Sequence, residues 1–196
     1  MGIPRSLRAA ALIAVAVLLG LLAVQGSYAL WNATVSSAPG AVSAASFTVN
    51  LTGTPSGQAT PMTLAGGQSA SLALNAQTAA LTPGTATYAG VLVGNASDAG
   101  GVFSISVTAE GPTIANSGGG SLATYLTVSA KTAAATADCS TATNYSPLTT
   151  AGLTSAAVPK GGSTVMCFEV KLSAAALAAV KGQAVNITIP LTARQL

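Results

Sequence analysis

Two cysteines are the first residues whose type and spacing suggest chemistry. Cys139 and Cys167 are the only cysteines among 196 residues, and an even number in an exported chain favours a disulfide. Cys167 lies in a run with strand alternation, whereas Cys139 lies in a polar stretch that needs anchoring. The alternative is a pair of buried free thiols. We expect the disulfide, because closing this loop would stabilise the fold by about 3–4 kcal/mol.

Histidine is absent from the chain. A zinc-protease helix, a Ser-His-Asp triad and a Cys-His pair all require an imidazole, so the sequence excludes these classes. No serine stands three residues before a lysine, and no glycine-rich phosphate-binding motif occurs. We therefore expect no enzyme, no catalytic residue and no bound cofactor.

The carboxylates are the remaining candidates, and the chain has four: Asp98, Glu110, Asp138 and Glu169. A pair could serve a glycosidase, or two could meet in space and hold calcium. Asp98 stands in a turn sequence, and Glu169 shares a strand face with Lys171, where a surface ion pair is the ordinary role. We therefore predict no metal site.

The N-terminus has the pattern of an export signal. Two arginines precede an unbroken apolar run from Ala9 to Val24, and Ser27 and Ala29 place small residues at positions −3 and −1 of a signal-peptidase site. The alternative, a retained membrane anchor, is disfavoured because a spanning helix needs about 20 apolar residues. We expect a helical signal peptide over residues 1–29, with cleavage before Leu30.

The expected mature chain, residues 30–196, is poor in charge. It keeps five basic and four acidic residues, and only 6% of the whole chain is charged, against about 25% in typical proteins. The scattered cations form no basic stripe, which argues against nucleic-acid binding. Little electrostatic repulsion opposes self-association. We expect one secreted or cell-surface domain that touches the membrane only through an uncleaved signal peptide.

Short alternating runs separated by Gly, Pro and Asn clusters predict an all-β antiparallel sandwich. The runs are Phe47–Thr52, Gln68–Asn75 with Leu72 and Leu74 inward, Tyr88–Val93, Val102–Ala109 and Tyr125–Lys131. Two segments, Thr54–Pro61 and Thr132–Lys160, are expected to be long loops.

The last third has the clearest alternation. Within Thr164–Leu172, Met166 and Phe168 share one face and Cys167 the other. Ser173 is placed to cap one short helical connector that ends at Gly182. A final strand follows, with Val185, Ile187, Ile189 and Leu191 inward. Pro190 within it predicts a sheet edge or a strand end.

Four stretches resemble the TasA/camelysin family of exported proteins, which are processed by a SipW-type signal peptidase. The junction Gly26–Asn32 (GSYALWN) is similar to that family's cleavage site followed by an aromatic residue and Asn. Ser43–Leu51 resembles its first strand, although Ser46 stands where Gly is usual. Leu81–Asn95 resembles its LkPGd segment, and Val165–Gln195 its closing pair of strands with a helical connector.

The resemblance implies a jelly-roll domain that builds extracellular fibres or biofilm matrix. In fibre-forming members the mature N-terminus inserts as a strand into a neighbouring subunit, so the implied partner is a second copy or a related matrix subunit. Here the segment would be Leu30 to about Ser37, with Leu30, Trp31 and Val35 as anchors. Alternatively, Trp31 packs against its own domain.

Two other functions stay open on the sequence. Camelysin members are described as metalloproteases, but the lack of histidine argues against that activity here. A surface adhesin that never polymerises is equally compatible with the residues.

Overall fold

The computed structural model of this chain describes residues 13–19, 45–74, 81–98 and 100–196. Residues 13–19 are helical, and no helix in the described ranges is long and apolar enough to cross a bilayer. The chain divides into two compact units, Met1–Ser43 and Ala44–Leu196. All the strands belong to the second unit.

In its described residues, the second unit is built from short strands and three 3-10 helices. The strands are β1 Val49–Thr54, β2 Ala59–Pro61, β3 Ala86–Asn95, β4 Ser104–Ala109, β5 Thr113–Ser117, β6 Leu126–Ala133, β7 Ser146–Pro147, β8 Leu153–Thr154, β9 Val158–Pro159, β10 Ser163–Leu172, β11 Ala184–Thr188 and β12 Leu191–Gln195. The 3-10 helices are η1 Leu122–Tyr125, η2 Thr136–Ser140 and η3 Ala178–Val180. Every ladder is antiparallel. The all-β antiparallel prediction is confirmed.

One sheet has six strands in the order β2-β1-β3-β10-β6-β7. The central strands β3 and β10 are the longest, at ten residues each, and they pair along nine residue positions, from Ser163↔Gly94 to Lys171↔Ala86. This long ladder forms the centre of the six-stranded sheet.

The facing strands form two ladders with a bulge between them. β12 pairs with β4 so that Leu191 lies opposite Ala109, and β11 pairs with β5 so that Thr188 lies opposite Thr113. Between these pairs, the three residues 110–112 oppose only Ile189 and Pro190. The extra residue breaks the ladder, and Glu110 N–H still donates to the Pro190 carbonyl at 2.9 Å.

The main core lies between the two layers, which gives a β-sandwich-like architecture. Its buried side chains come from alternate positions of β1, β3, β4, β6 and β10, as the two-residue period requires. The members on these strands are Val49, Leu51, Val91, Val93, Ile105, Val107, Ala109, Val128, Ala130, Met166 and Phe168. The predicted inward faces of β4 and of β10 are confirmed.

Strand β10 is buried on both faces at its centre. Met166 and Phe168 belong to the main core, while Val165 and Cys167 belong to a second cluster with Cys139 on the outer side of the sheet. The second cluster exists because the segment carrying η2 covers this part of the outer face.

Several sequence predictions need correction. Gln68–Asn75 is not a strand over its described residues 68–74, where Ser69 forms an isolated bridge with Thr63. The connector after Ser173 is helical only at η3, since so short a segment cannot offset the cost of starting an α-helix. The expected loop Thr132–Lys160 contains η2, β7, β8 and β9, and Thr54–Pro61 contains β2. The last strand is interrupted at Pro190, as its missing amide predicts.

Candidate functional site

An apolar groove lies between the six-stranded sheet and the strands β11 and β12. Its volume is about 1370 Å³. The sheet lines it with Leu51, Val91, Phe168 and Val170, and the opposite wall with Val185, Ile187, Ile189 and Leu191. These aliphatic positions are the ones that alternation assigns to the inward faces of their strands. The groove is therefore an opening in the sandwich core.

Charge is scarce in the groove. Lys181, in the turn after η3, is the single charged residue among the described residues that line it. The other polar groups are uncharged side chains, among them Ser71, Thr82, Thr87, Gln183 and Asn186. This lining favours an apolar occupant over a charged one.

The strands on one wall of the groove have an unpaired edge. Among the described residues, β11 pairs only with β5 and β12 only with β4. Main-chain N–H and C=O groups of an antiparallel strand point alternately to both sides, so the outer side carries donors and acceptors that no described strand pairs with. A groove for side chains thus lies beside an edge for backbone pairing.

The groove lies toward one end of the second unit. On β3 it is lined by Thr87, Ala89 and Val91 from the first half of the strand, and on β10 by residues from Phe168 onward. We call this the groove end. The opposite end, where β1 begins and β3 stops at Asn95, we call the arm end, because the described part of this domain starts there at residue 45.

Asp98 anchors the chain at the arm end. Its carboxylate accepts the N–H of Ser46, and its own N–H donates to the Ser46 carbonyl at 3.2 Å. The neighbouring Ser97 hydroxyl accepts the N–H of Thr48 at 2.9 Å. The hydrogen bonds from Ser46 hold the pKa of the Asp98 carboxyl below its usual value, and the charge of Lys160 lowers it further.

Residues 71–74 lie against the groove without forming a strand. Leu72 and Leu74 are half-buried, line the groove and pack against the main core. They lie against Gly53 of β1, where an added Cβ would meet a Leu74 methyl at 3.2 Å and a Leu72 methyl at 3.5 Å. Alternation predicted the inward direction of both leucines correctly, although no ladder forms.

The predicted disulfide is confirmed on the outer face of the six-stranded sheet. Cys139 in η2 is bonded to Cys167 in β10, with their Cα atoms 5.1 Å apart. Gly90 of β3 leaves room for it, since a Cβ at that position would come within 2.7 Å of the Cys139 sulfur. The bond fits an oxidising environment such as the cell exterior.

Polar contacts hold the rest of this covering segment. The Lys131 ammonium donates to the carbonyls of Thr141 and Thr143 at 2.8 and 3.0 Å and lies 4.5 Å from the Tyr145 ring centre. The Tyr145 hydroxyl donates to the Cys139 carbonyl at 2.6 Å. Burial, with a smaller effect of the nearby Glu169 charge, raises the pKa of Tyr145 to about 12. Tyr145 is therefore a neutral hydrogen-bond donor at physiological pH.

The four carboxylates are dispersed over the domain. Glu110 accepts the Thr192 hydroxyl at 2.8 Å, and Asp138 accepts the Ala135 N–H at 3.2 Å. Glu169 accepts a hydrogen bond from Tyr88, whose pKa is raised by burial and by that carboxylate. Across the described ranges, no group of three or more His, Cys, Asp or Glu side chains could hold a metal ion.

The predicted export and strand-insertion residues lie outside the described ranges. These are Ser27 and Ala29 at the cleavage site, Leu30 at the new N-terminus, and the anchors Trp31 and Val35. The groove itself was not predicted as a site, because alternation marks inward residues without indicating which part of a core stays open. The signal that could have indicated it is Pro190, which predicted an edge in the last strand.

Comparison with known proteins adds no relative. No family model matches the chain, and no curated protein or solved structure is significantly similar to it.

Proposed function

We propose that the mature chain is a structural subunit of an extracellular fibre or biofilm matrix, released by a SipW-type signal peptidase and folded as a jelly roll of the TasA/camelysin type. We call residues 30–44 the N-terminal arm. Subunits join when the first residues of the arm, from Leu30 to about Ser37, insert as a strand into the groove of a second copy. The observation that carries this proposal is an unpaired strand edge beside an apolar groove.

The size and lining of the groove support a peptide occupant. Pockets for small molecules typically measure about 300–1,000 Å³ and carry a few convergent polar groups. This groove is larger, at about 1370 Å³, and is lined mainly by aliphatic side chains. In an extended strand Trp31 and Val35 share one face, so both can enter the groove while the backbone pairs with β11 and β12.

The direction of the chain favours insertion into a second copy over self-insertion. Strand β12 runs toward the arm end. The residue that follows it, Leu196, donates its N–H to the Ser104 carbonyl at 2.9 Å, and Ser104 is the first residue of β4, beside the end of β3. An arm folded back into its own groove must end at the arm end, so it would run parallel to β12. An arm from a second copy stacked end to end in the same orientation runs antiparallel to β12. All the described ladders are antiparallel, and antiparallel pairing is slightly more stable per residue.

Trp31 provides a direct test, since it is the only tryptophan in the chain. Mature protein should form filaments visible by electron microscopy, with a blue shift of Trp31 emission as the indole leaves water. Deletion of residues 30–37 should abolish filaments and leave a folded monomer. A strict monomer at high concentration, unaffected by this deletion, would refute the proposal and favour a non-polymerising surface domain.

Paired substitutions in the arm test whether its side chains insert into the groove, because they leave the length of the arm unchanged. Trp31→Ser with Val35→Ser removes both groups from the inserted face and should slow assembly at least about tenfold, since a buried large apolar side chain contributes about 1.5–3 kcal/mol. Asn32→Ala with Thr34→Ala changes the other face of the same strand and serves as the control. Filament mass after a fixed time is the measurement. Equal loss in both variants would contradict the proposed anchors.

A charge placed in the groove tests the acceptor side. Ile187→Lys puts an ammonium on the wall that the arm should cover, and assembly should be lost because the cation would be desolvated without a partner. Ala115→Lys adds the same charge at an exposed position on the neighbouring strand β5 and should assemble normally. Sedimentation of each variant gives the outcome. Normal assembly of Ile187→Lys would place the arm elsewhere.

The protease alternative has its own assay. Casein hydrolysis that a chelator abolishes would show that an enzymatic function exists after all.

A further inference from the structure

Residues 71–74, which we call the strap, line one side of the groove and pack against the core. Leu72 and Leu74 point inward and are half-buried, whereas Ser71 and Ala73 are exposed. This is the side-chain pattern of a strand with one buried face. The strap nevertheless belongs to no ladder.

The strap runs in the direction that an added strand would take. Its preceding residue, Ala70, donates its N–H to Met62 O at 2.9 Å, and Met62 N–H donates to Val49 O at 2.7 Å, which places this part near the arm end. The other end of the strap, Leu74, lies against Gly53, which is near the end of β1. The strap therefore runs from the arm end toward the groove end, antiparallel to β12.

The strap is held by side chains alone. Across the described part of the chain, residues 71–74 make no hydrogen bond to the edge of β11 or β12 or to β1. Two half-buried leucines thus line the groove, and no described strand pairs with the edge of β11 and β12 beside it. An incoming strand can offer the same apolar contacts and the missing main-chain hydrogen bonds as well.

We propose that the strap is a built-in placeholder: Leu72 and Leu74 cover part of the core along the groove of the free subunit, and the arm of a second copy displaces them during assembly. This inference rests on the proposed function and adds its regulation. While the strap is in place it narrows the groove beside β11 and β12, so the apparent affinity for the arm is reduced by the fraction of molecules whose strap has moved aside. The strap also shields the groove from unspecific apolar contacts before assembly.

The experiment follows the Trp31 blue shift in full-length mature protein at one fixed concentration. Leu72→Ala with Leu74→Ala weakens the strap and should speed assembly at least about fivefold, because the open fraction rises. Leu64→Ala is the matched control: Leu64 is 42% exposed and lies outside the groove lining, so its rate should equal that of the unmodified protein.

A second variant weakens the strap without altering it. Gly53→Ala places a methyl 3.2 Å from the Leu74 side chain and 2.8 Å from the Ser56 hydroxyl oxygen. The serine can rotate away, whereas Leu74 must yield, so assembly should accelerate at least about twofold. Gly94→Ala in β3 is its control, since an added Cβ there meets nothing within 4 Å. This pair keeps the test decisive if the double leucine variant fails to fold.

The outcomes distinguish the two proposals. If the unmodified protein assembles and the strap variants assemble at the same rate or more slowly, the placeholder is refuted and the proposed fibre function stands. Slower assembly would mean that the strap supports the incoming strand. If no folded variant assembles, including those with a weakened strap, both proposals fail.

Discussion

At Asp98, one carboxylate fixes the point at which the chain enters the sandwich. It accepts the Ser46 N–H, and the backbones of both residues are also bonded to each other. Sequence analysis identified Asp98 only as a turn former. Its second role depends on Ser46, which lies 52 positions away along the chain, and no local pattern contains that information.

The pH dependence of this anchor follows from the lowered pKa of Asp98. A carboxyl whose folded pKa lies below its unfolded value stabilises the fold above the unfolded pKa, and this contribution is lost as the pH falls through the folded pKa. Asp98→Ala should therefore be slightly less stable than the unmodified protein near neutral pH. The difference should begin to shrink at about pH 4, where the carboxyl of the unfolded chain becomes protonated, and should disappear below the lower pKa of the folded state. Urea unfolding of both proteins over a pH series measures it, and a difference independent of pH would contradict the role of the charge.

The cysteine pair was predictable, but its surroundings were not. An even cysteine count and the expectation of export indicated the bond between Cys139 and Cys167. Nothing in the sequence indicated that Gly90 must lack a side chain to admit it, because Gly90 lies on β3, whereas the cysteines lie on η2 and β10. Contacts across a sheet are set by register, which a single sequence does not reveal.

At the level of elements, the disulfide ties the covering segment around η2 to the central strand β10. The bond closes a loop over a sequence separation of 28 residues. In the chain-entropy estimate, removing such a link costs about 3–4 kcal/mol in the free energy of unfolding. Cys139→Ala with Cys167→Ala should show this loss in urea denaturation.

Reduction of the unmodified protein provides the control for that experiment, since it breaks the same link without changing side-chain volume. The two losses should agree within about 1 kcal/mol. Filaments should still form in the double variant, because the bond lies on the outer face and the groove on the inner face. A stability change near zero would show that the polar contacts of Lys131 and Tyr145 suffice to hold the segment.

The alternation of apolar and polar residues predicted which side chains point inward better than it predicted which segments form hydrogen-bonded ladders. The inward positions of β4, β10 and β11 are those expected, because a period of two residues directly reports which side chains share a side. The same pattern in Gln68–Asn75 produced inward leucines without a ladder, since alternation carries no information on a hydrogen-bond partner. Strand β5 was missed because Ile114 is its only large apolar residue.

For the whole molecule, the scarcity of charge determines how solution conditions should act on assembly. Only 6% of residues are charged, and the proposed joint consists of apolar contacts and main-chain hydrogen bonds. Raising NaCl from about 50 mM to about 500 mM should therefore change the assembly rate less than about twofold, since there is little charge to screen. Ammonium sulfate should accelerate assembly, because sulfate strengthens apolar burial.

The rate of the Trp31 blue shift over these two salt series is the measurement. A steep loss of rate with NaCl would indicate that ion pairs dominate the joint, contrary to the apolar lining of the groove.

Both outer margins of the six-stranded sheet are short. One margin is β2, with three residues ending at Pro61, and the other is β7, with two residues ending at Pro147. Proline offers no N–H to a neighbouring molecule, and so few residues provide almost no template for sideways stacking. If subunits join at the edge of β11 and β12 as proposed, we expect filaments one molecule wide, because these short margins disfavour broad amyloid-like ribbons.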